Sequence, residues 1–329
     1  MSFQDYIANE CKKNPKTIVF PEGKDPKIVE AAYRLVNEKL CKKCIVIGNR
    51  EDIEKAASSN KVDLSILEIV TPENDKDYNS YVDEYMELRK HKNITREFAM
   101  DQMKKTHFFA AMCVRKKRAD GMVSGINSET KPFIPAFEII KTTPGISKVS
   151  SLFFQLFPDK VLYFSDCGVN INPDEDTLAE IAISTAKTVK QFGDEPRVAM
   201  LSFSTRDSAK DPLVDKMKNA TAKAKQKAKD MGLDIMIDGE IQFDAAYVPE
   251  VCAKKAPDSP FVKKGANVFI FPDINSGNIC YKVTERLAGA QALGPILQGL
   301  NGAVNDLSRG AKVDDIVKVA LITSIQSVK

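Results

Sequence analysis

Residues 305–310 read Asn-Asp-Leu-Ser-Arg-Gly, and two aspartates, Asp314 and Asp315, follow within one turn of chain. Ser308 offers a hydroxyl donor. Arg309 adds an always-charged fork of N–H donors beside the flexible Gly310, and the pair suits an oxyanion. Asp315 stands in the first turn of a predicted helix, where its carboxylate can fold back toward the same point. One of the two aspartates can serve as a helix cap. A cap does not account for the other carboxylate or for Arg309. The set fits attack by a nucleophile on an acyl or phosphoryl centre, with charge stabilised as it develops.

The rest of the composition narrows the chemistry. Only two histidines are present, His91 in "LRKHKN" and His107 in "KKTHFFAAMCV", so a zinc site or a Ser-His-Asp triad would have to lean on them. Both contexts read as structural or solvated, which leaves carboxylates as the acid/base groups. The seven cysteines have no framework spacing and read as free thiols of a reducing cytosol. Cys41 and Cys44 form a CxxC with no second pair, and Cys44 opens the apolar run "CIVIG", so no metal is expected. Lys and Arg exceed Asp and Glu by 48 to 45, and a scattered net charge of +3 gives no reason to expect nucleic acid. The amino-terminal residues show no signal pattern and no window approaches a membrane span, so the expectation is a cytoplasmic protein that binds small molecules.

These residues need elements to hold them. At 329 residues, two domains are expected. Short β-branched runs alternate with helical patterns: "KTIVF", then a helix behind Asp25, "KCIVIGN", a helix from about Asp52, and "LEIVT". The segments "DYNSYVDEYMELRKHK" and "TREFAMDQMKK" read as helices, the second capped by Thr95, and "DGMVSG" as a strand. After the breaker Pro144-Gly145 the pattern restarts with strands "KVLYFSD", "RVAMLSF", "LDIMID" and "ANVFIFPD". The reading is α/β, with two doubly wound domains, mainly parallel sheets and an interdomain cleft.

Four turns rich in small and polar residues, "VSGINSETKP", "LSFSTRDSAK", "FPDINSGN" and "GLNGAVNDLSRG", are predicted beyond strand ends. Ligands of open parallel sheets bind there, and exposed backbone N–H groups suit phosphate. None matches GxGxxG or GxxxxGK[ST], so a two-domain dehydrogenase or a P-loop site is poorly supported.

The segments "VNDLSRG", "GPILQGL", "ANVFIFPDINSGNICYK", "DGEIQFDAA", "MLSFSTRDSAKDPL", "DGMVSG" and "MELRKHK" closely resemble the phosphate acetyltransferases (phosphotransacetylases) of the phosphate acetyl/butyryltransferase family. The similarity keeps its order from "KTIVFPEG" onward and covers nearly the whole chain. It implies reversible acetyl transfer between CoA and inorganic phosphate, with CoA or acetyl-CoA as substrate and no bound cofactor. It implies a homodimer of two-domain chains, with the chain returning to complete its first domain. That places residues 1–146 plus 296–329 in domain I and 147–295 in domain II.

The resemblance also assigns roles. Asp315 would take the proton of the CoA thiol, whose free pKa of about 8.5 leaves it mostly protonated at neutral pH. Arg309 would stabilise charge on the carbonyl oxygen or phosphate, and Ser308 would hydrogen-bond the tetrahedral centre or the leaving phosphate. No metal or acyl-enzyme is required. Arg89, Lys27, Arg286, Ser128, Thr130 and Lys131 are implied contacts of phosphate or CoA.

Three positions depart from the family pattern. Ile134 stands where an arginine of an "LRPA"-like segment binds phosphate, and Lys131 can supply only a point charge in its place. Asp207 replaces a usual glycine, and Lys27 replaces an arginine linked to the 3′-phosphate of CoA. Two rival readings remain open. One is the same chemistry on a longer acyl group, as in phosphate butyryltransferase. The other is a non-catalytic acyl-CoA-binding relative of the kind fused to malic enzymes. The presence of Ser308, Arg309 and Asp315, without a preceding oxidoreductase domain, favours the transferase.

Overall fold

A computed structural model of the chain describes residues 3–127 and 135–328, with only the backbone of Phe137. The chain divides into two compact units, Met1–Thr142 with Leu300–Lys329, and Thr143–Gly299. The crossings lie four residues from the expected boundaries. A boundary at 295/296 would cut strand β10, Gln291–Gln298, which is intact in the second unit.

In the first unit, strands β1 (Thr17–Phe20), β2 (Lys43–Ile47), β3 (Glu68–Val70), β4 (Gly121–Ser124) and β11 (Ala303–Asp306) form one parallel sheet in the order β11-β4-β1-β2-β3. Successive strands run outward from β1 to β3, whereas β4 and β11 lie on its other side. The order therefore reverses between β1 and β4. Alternation assigns the sheet's two faces. Val19, Ile45, Ile47 and Met122 join the cluster containing Tyr81, Phe109 and Met112, while Ile18, Phe20, Cys44 and Val46 between them are also fully buried.

The helices of this unit are α1 (Phe3–Lys13), α2 (Pro26–Asn37), α3 (Arg50–Asn60), α4 (Tyr78–Leu88), α5 (Arg96–Lys104) and α6 (Thr106–Arg115), before the chain leaves for the second unit. Asp25 caps α2 by accepting the Lys27 N–H at 2.8 Å, and Pro26 supplies a preset first helical residue. Thr95 caps α5 through the Phe98 N–H at 3.2 Å. Both caps are as expected from sequence. Helix α1 was not anticipated. It packs on the final helix, where the Cys11 thiol donates to the Leu321 carbonyl at 3.4 Å.

The second unit holds a six-stranded sheet, β10-β5-β6-β9-β7-β8, built from β5 (Ser150–Leu156), β6 (Val161–Ser165), β7 (Arg197–Leu201), β8 (Met236–Ile241), β9 (Val268–Ile270) and β10. The four strands β6, β9, β7 and β8 are parallel, and β5 and β10 are antiparallel additions. Its helices are α7 (Glu175–Gln191), α8 (Pro212–Asp230), α9 (Phe243–Tyr247), α10 (Pro249–Lys255) and α11 (Ile274–Ala288). Helix α12 (Val313–Gln326) then belongs again to the first unit.

One expected turn is corrected. Residues 303–306 form strand β11, paired in parallel with β4, and the Asn305 amide donates to Thr323 Oγ1 at 2.8 Å and Gln326 Oε1 at 2.7 Å. All seven cysteines are free, and Cys41 and Cys44 are both buried. Burial pushes the Cys44 thiol well above its usual range, as for a core residue.

Candidate functional site

The carboxyl ends of β1, β4 and β11 meet around the point where the strand order reverses, the place at which open parallel sheets offer a crevice. The chain leaving β1 carries Glu22, which is 5% exposed. Its carboxylate accepts three consecutive backbone N–H groups of the turn after β4: Gly125 at 2.6 Å, Ile126 at 3.0 Å and Asn127 at 2.9 Å. The Asn127 amide donates to Asp25 Oδ2 at 2.7 Å, so both carboxylates hold this turn. The expectation that the N–H groups of "VSGIN" await phosphate is corrected for residues 125–127, because an internal carboxylate occupies them. In the second unit Glu240 does the same for part of "LSFSTRDSAK", accepting the Asp207 N–H at 2.7 Å and the Ser204 hydroxyl at 3.2 Å.

Two more groups, both half-buried, belong to this crevice. His107 Nε2 lies 4.0 Å from Glu22 Oε1 and has no hydrogen-bond partner among the described residues. Burial pushes the imidazole pKa down, against the pull of Glu22. Asp306, the last residue of β11, has Oδ1 against Gly125: a Cβ built on that glycine would stand 1.9 Å from it. Gly125 has φ +119, so close approach and backbone geometry both require glycine there. Burial raises the Asp306 carboxyl to about 7, with Glu22 adding a like charge, although the Leu307 N–H opposes the shift. The sequence reading missed Glu22, His107 and Asp306 as a group. Their one visible signal was position, since Glu22 follows β1 and Asp306 ends β11.

The closing motif follows directly. Ser308, Arg309 and Gly310 are exposed in the loop between β11 and α12. The Ala311 N–H returns to the Ser308 carbonyl at 2.9 Å, and the Lys27 ammonium donates to the Ala311 carbonyl at 3.1 Å. The structure thus brings Lys27, from the first turn of α2, against this loop. Asp314 and Asp315 divide their tasks. Asp314 Oδ1 accepts from Arg34 Nη1 at 2.7 Å, and that hydrogen bond holds its carboxyl below the usual range. Asp315 Oδ2 accepts the Lys312 N–H at 3.0 Å, half of a capping box. Among the described residues it makes no ion pair, so its second oxygen is not committed to a cation.

Arg89 ends α4 and lies 3.5 Å from Glu138, which also accepts the Tyr85 hydroxyl at 2.7 Å. Its buried Nε has no hydrogen-bond partner among the described residues. Arg286 stands in the second unit on α11, with its side chain 80% exposed and 3.6 Å from Glu285. Ser128, Thr130, Lys131 and Ile134 lie outside the described residues. Asp207 has φ 61, a left-handed conformation that explains the glycine usual there, and its carboxylate is paired with Lys218 at 2.5 Å.

A family profile described as "Phosphate acetyl/butaryl transferase" matches residues 2–324. The phosphate acetyltransferase of Bacillus subtilis (strain 168) is 46% identical over 98% of this chain and 97% of its own length. That of Thermoanaerobacterium thermosaccharolyticum is 44% identical over 99% and 100%. The chain also matches the phosphate acetyltransferase of Escherichia coli (strain K12), but spans 45% of that longer protein. Among solved structures, the EutD phosphotransacetylase from Staphylococcus aureus superimposes with a TM-score of 0.94 at 40% identity, over 99% of this chain and 98% of that one. Fold, strand-end crevice and closing motif therefore stand within a match over nearly the full length, and the chain belongs to the phosphate acetyl/butaryl transferase family.

Proposed function

We propose that this chain is a phosphate acetyltransferase, exchanging an acetyl group between CoA and inorganic phosphate. The observation that carries the mechanism is the division between neighbouring aspartates: Arg34 takes Asp314, while Asp315 keeps an oxygen uncommitted in the first turn of the helix that follows exposed Ser308 and Arg309. In the direction of thioester formation, Asp315 accepts the proton of the CoA thiol. The thiolate sulfur then bonds the carbonyl carbon of acetyl phosphate. Arg309 offsets the charge growing on the carbonyl oxygen, and Ser308 donates to the tetrahedral centre. As the carbon–oxygen bond to phosphate breaks, the phosphate leaves with that bond's electron pair. Lys27 at the Ala311 carbonyl supplies a fixed positive charge for CoA phosphate, and the unpartnered Nε of Arg89 suits phosphate oxygens. The segment containing Ser128, Thr130 and Lys131 is proposed as a further substrate contact of the first unit, and Arg286 as one of the second.

A homodimer accords with helix α11. Ile279, Val283 and Leu287, spaced by four, are 62%, 48% and 84% exposed, and Gly277 is the helix's one buried residue. A cytoplasmic setting accords with seven free thiols, six of them buried. No helix among the described residues is long and apolar enough to cross a membrane.

The test is thioester formation from CoA and acetyl phosphate, followed by thioester absorbance beside butyryl phosphate. Turnover that prefers acetyl supports the proposal. Preference for butyryl moves the chain to the longer acyl group. No thioester with either, while CoA still binds, replaces transfer with acyl-CoA binding alone.

A further inference from the structure

Three neighbouring parallel strands of the first unit start directly behind or upon basic residues. Lys16 precedes β1, Lys42 and Lys43 stand at the start of β2, and Lys117 and Arg118 precede β4. Because β4, β1 and β2 are adjacent and parallel, their amino ends gather these cations along one rim. This rim is at the opposite ends of the same strands from Glu22 and the turn after β4. β1 alone, four residues long, separates the two by roughly 13 Å at about 3.3 Å per residue. With Lys76 and parts of Asn14, Thr17 and Asp120, the cations line a cavity of about 650 Å³. That is within the range of sites for metabolite-sized ligands, about 300–1,000 Å³.

The charges in this cavity are not equally available. Arg118 forms its floor, 18% exposed and bound to Glu68 at 2.6 Å, Asp75 at 2.7 Å and Asp77 at 3.2 Å. Those carboxylates hold its guanidinium firmly charged. Lys43 is paired with Glu68 at 2.8 Å. Asp120 Oδ2 accepts the Thr17 N–H at 2.7 Å. The ammonium groups of Lys16, Lys42, Lys76 and Lys117, by contrast, have no ion-pair or hydrogen-bond partner among the described residues. Four ammoniums without such partners belong to side chains lining one concavity, and a ligand with several negative charges would supply them. Lysines on flexible stems act as adjustable point charges, which suits successive phosphates better than one planar carboxylate. The floor is polar and rigid, and the lining has no large apolar surface that would select a lipid or acyl chain.

We propose that this cavity binds a small molecule carrying two or more linked phosphate groups, at a site separate from the transferase centre. Inorganic tripolyphosphate is a suitable probe, used in isothermal titration at low salt with the full chain. The wild-type protein is expected to bind one molecule per chain at this rim. Arg309→Ala, altered at the opposite strand ends, is expected to retain that binding. A Lys42→Gln/Lys117→Asn double variant is expected to weaken it about tenfold or more. Asparagine is chosen at 117 because the backbone there has φ 60. Without ligand, the double variant should melt close to the wild-type temperature, since neither ammonium makes an ion pair or side-chain hydrogen bond among the described residues. Binding lost in Arg309→Ala but kept in the lysine variant would assign the polyphosphate to the transferase centre and overturn the proposal. Equal weakening in both variants, or no heat from the wild-type protein at millimolar probe, would overturn it as well. None of these outcomes bears on thioester formation, which tests the transferase reading by itself.

Discussion

The carboxylate of Glu22 accepts the backbone N–H of Gly125 at 2.6 Å, across 103 residues of sequence. The contact ties the exit of β1 to the exit of β4, the two strands between which the sheet order reverses. In the second unit Asp166 holds its own turn after β6, accepting the N–H groups of Gly168 at 3.0 Å and Asn170 at 2.9 Å. Turns that expose several N–H groups at strand ends are thus held by carboxylates from within their own unit. The shape of the crevice is set before any substrate arrives.

Glu22→Gln is expected to destabilise the protein by about 2–4 kcal/mol, because the amide turns one donor group toward N–H donors in a buried place. Urea unfolding followed by circular dichroism measures this. A loss below about 1 kcal/mol would mean that the three N–H groups find other acceptors.

Asp306 makes stability depend on pH in a stated direction. Its folded carboxyl is pushed up to about 7, above the ordinary 3.8, so between these values the folded chain holds a proton that the unfolded chain has released. Stability from this group therefore falls as pH rises from about 4 to 7 and levels off above. His107 acts oppositely: burial lowers its pKa, so its contribution increases as pH rises toward about 6.5. The informative quantity is the difference between wild type and Asp306→Asn, which removes only the first effect. Unfolding free energies at pH 5 and pH 8 should show the variant gaining on the wild type by on the order of 3 kcal/mol. A difference independent of pH would show that Asp306 ionises as an ordinary surface carboxyl does.

The neighbouring aspartates give a paired test of the mechanism. Asp315→Asn keeps an oxygen for the Lys312 N–H and removes the base, so kcat should fall by roughly 10²–10⁴-fold with the fold retained. Asp314→Asn breaks only the exposed pair with Arg34, worth about 1 kcal/mol or less, and should leave kcat nearly unchanged. Similar losses in both variants would place the base elsewhere.

Much of this arrangement was legible along the chain, for identifiable reasons. Strands β1 to β3 are short β-branched runs bounded by polar residues, and Asp25 and Thr95 are ordinary caps. Ser308, Arg309 and Asp315 were legible because eight residues of chain contain them all. Strand β10 was hidden by Gly294-Pro295 in its middle. There a register shift between Leu293 and Ile296 lets the strand continue beside β5. Glu22, His107 and Asp306 were hidden for another reason. Their proximity exists only once β11, β4 and β1 lie side by side, and nothing local in the sequence specifies that order.

Helix α11 carries two apolar stripes, and only one of them has a partner among the described residues. On its inner face, Tyr281 stacks on Phe153 with ring centroids 4.0 Å apart, and a Cβ on Gly277 would stand 2.4 Å from the Asp166 carbonyl oxygen. Ile279, Val283 and Leu287 are two residues out of step with that face, hence on the far side of the helix. Leaving three such side chains in water forgoes about 1.5–3 kcal/mol each relative to full burial. In the proposed homodimer, the same stripe of a second copy would cover it under twofold symmetry and recover part of that energy. Leu287→Asp is therefore expected to weaken the dimer by at least about 2 kcal/mol, roughly thirtyfold in dissociation constant, without changing the unit's own core. Sedimentation equilibrium at micromolar protein should find dimer for the wild type and a substantial monomer fraction for the variant. A wild type that sediments as a monomer, or a variant that dimerises equally well, would leave this stripe without its assigned partner.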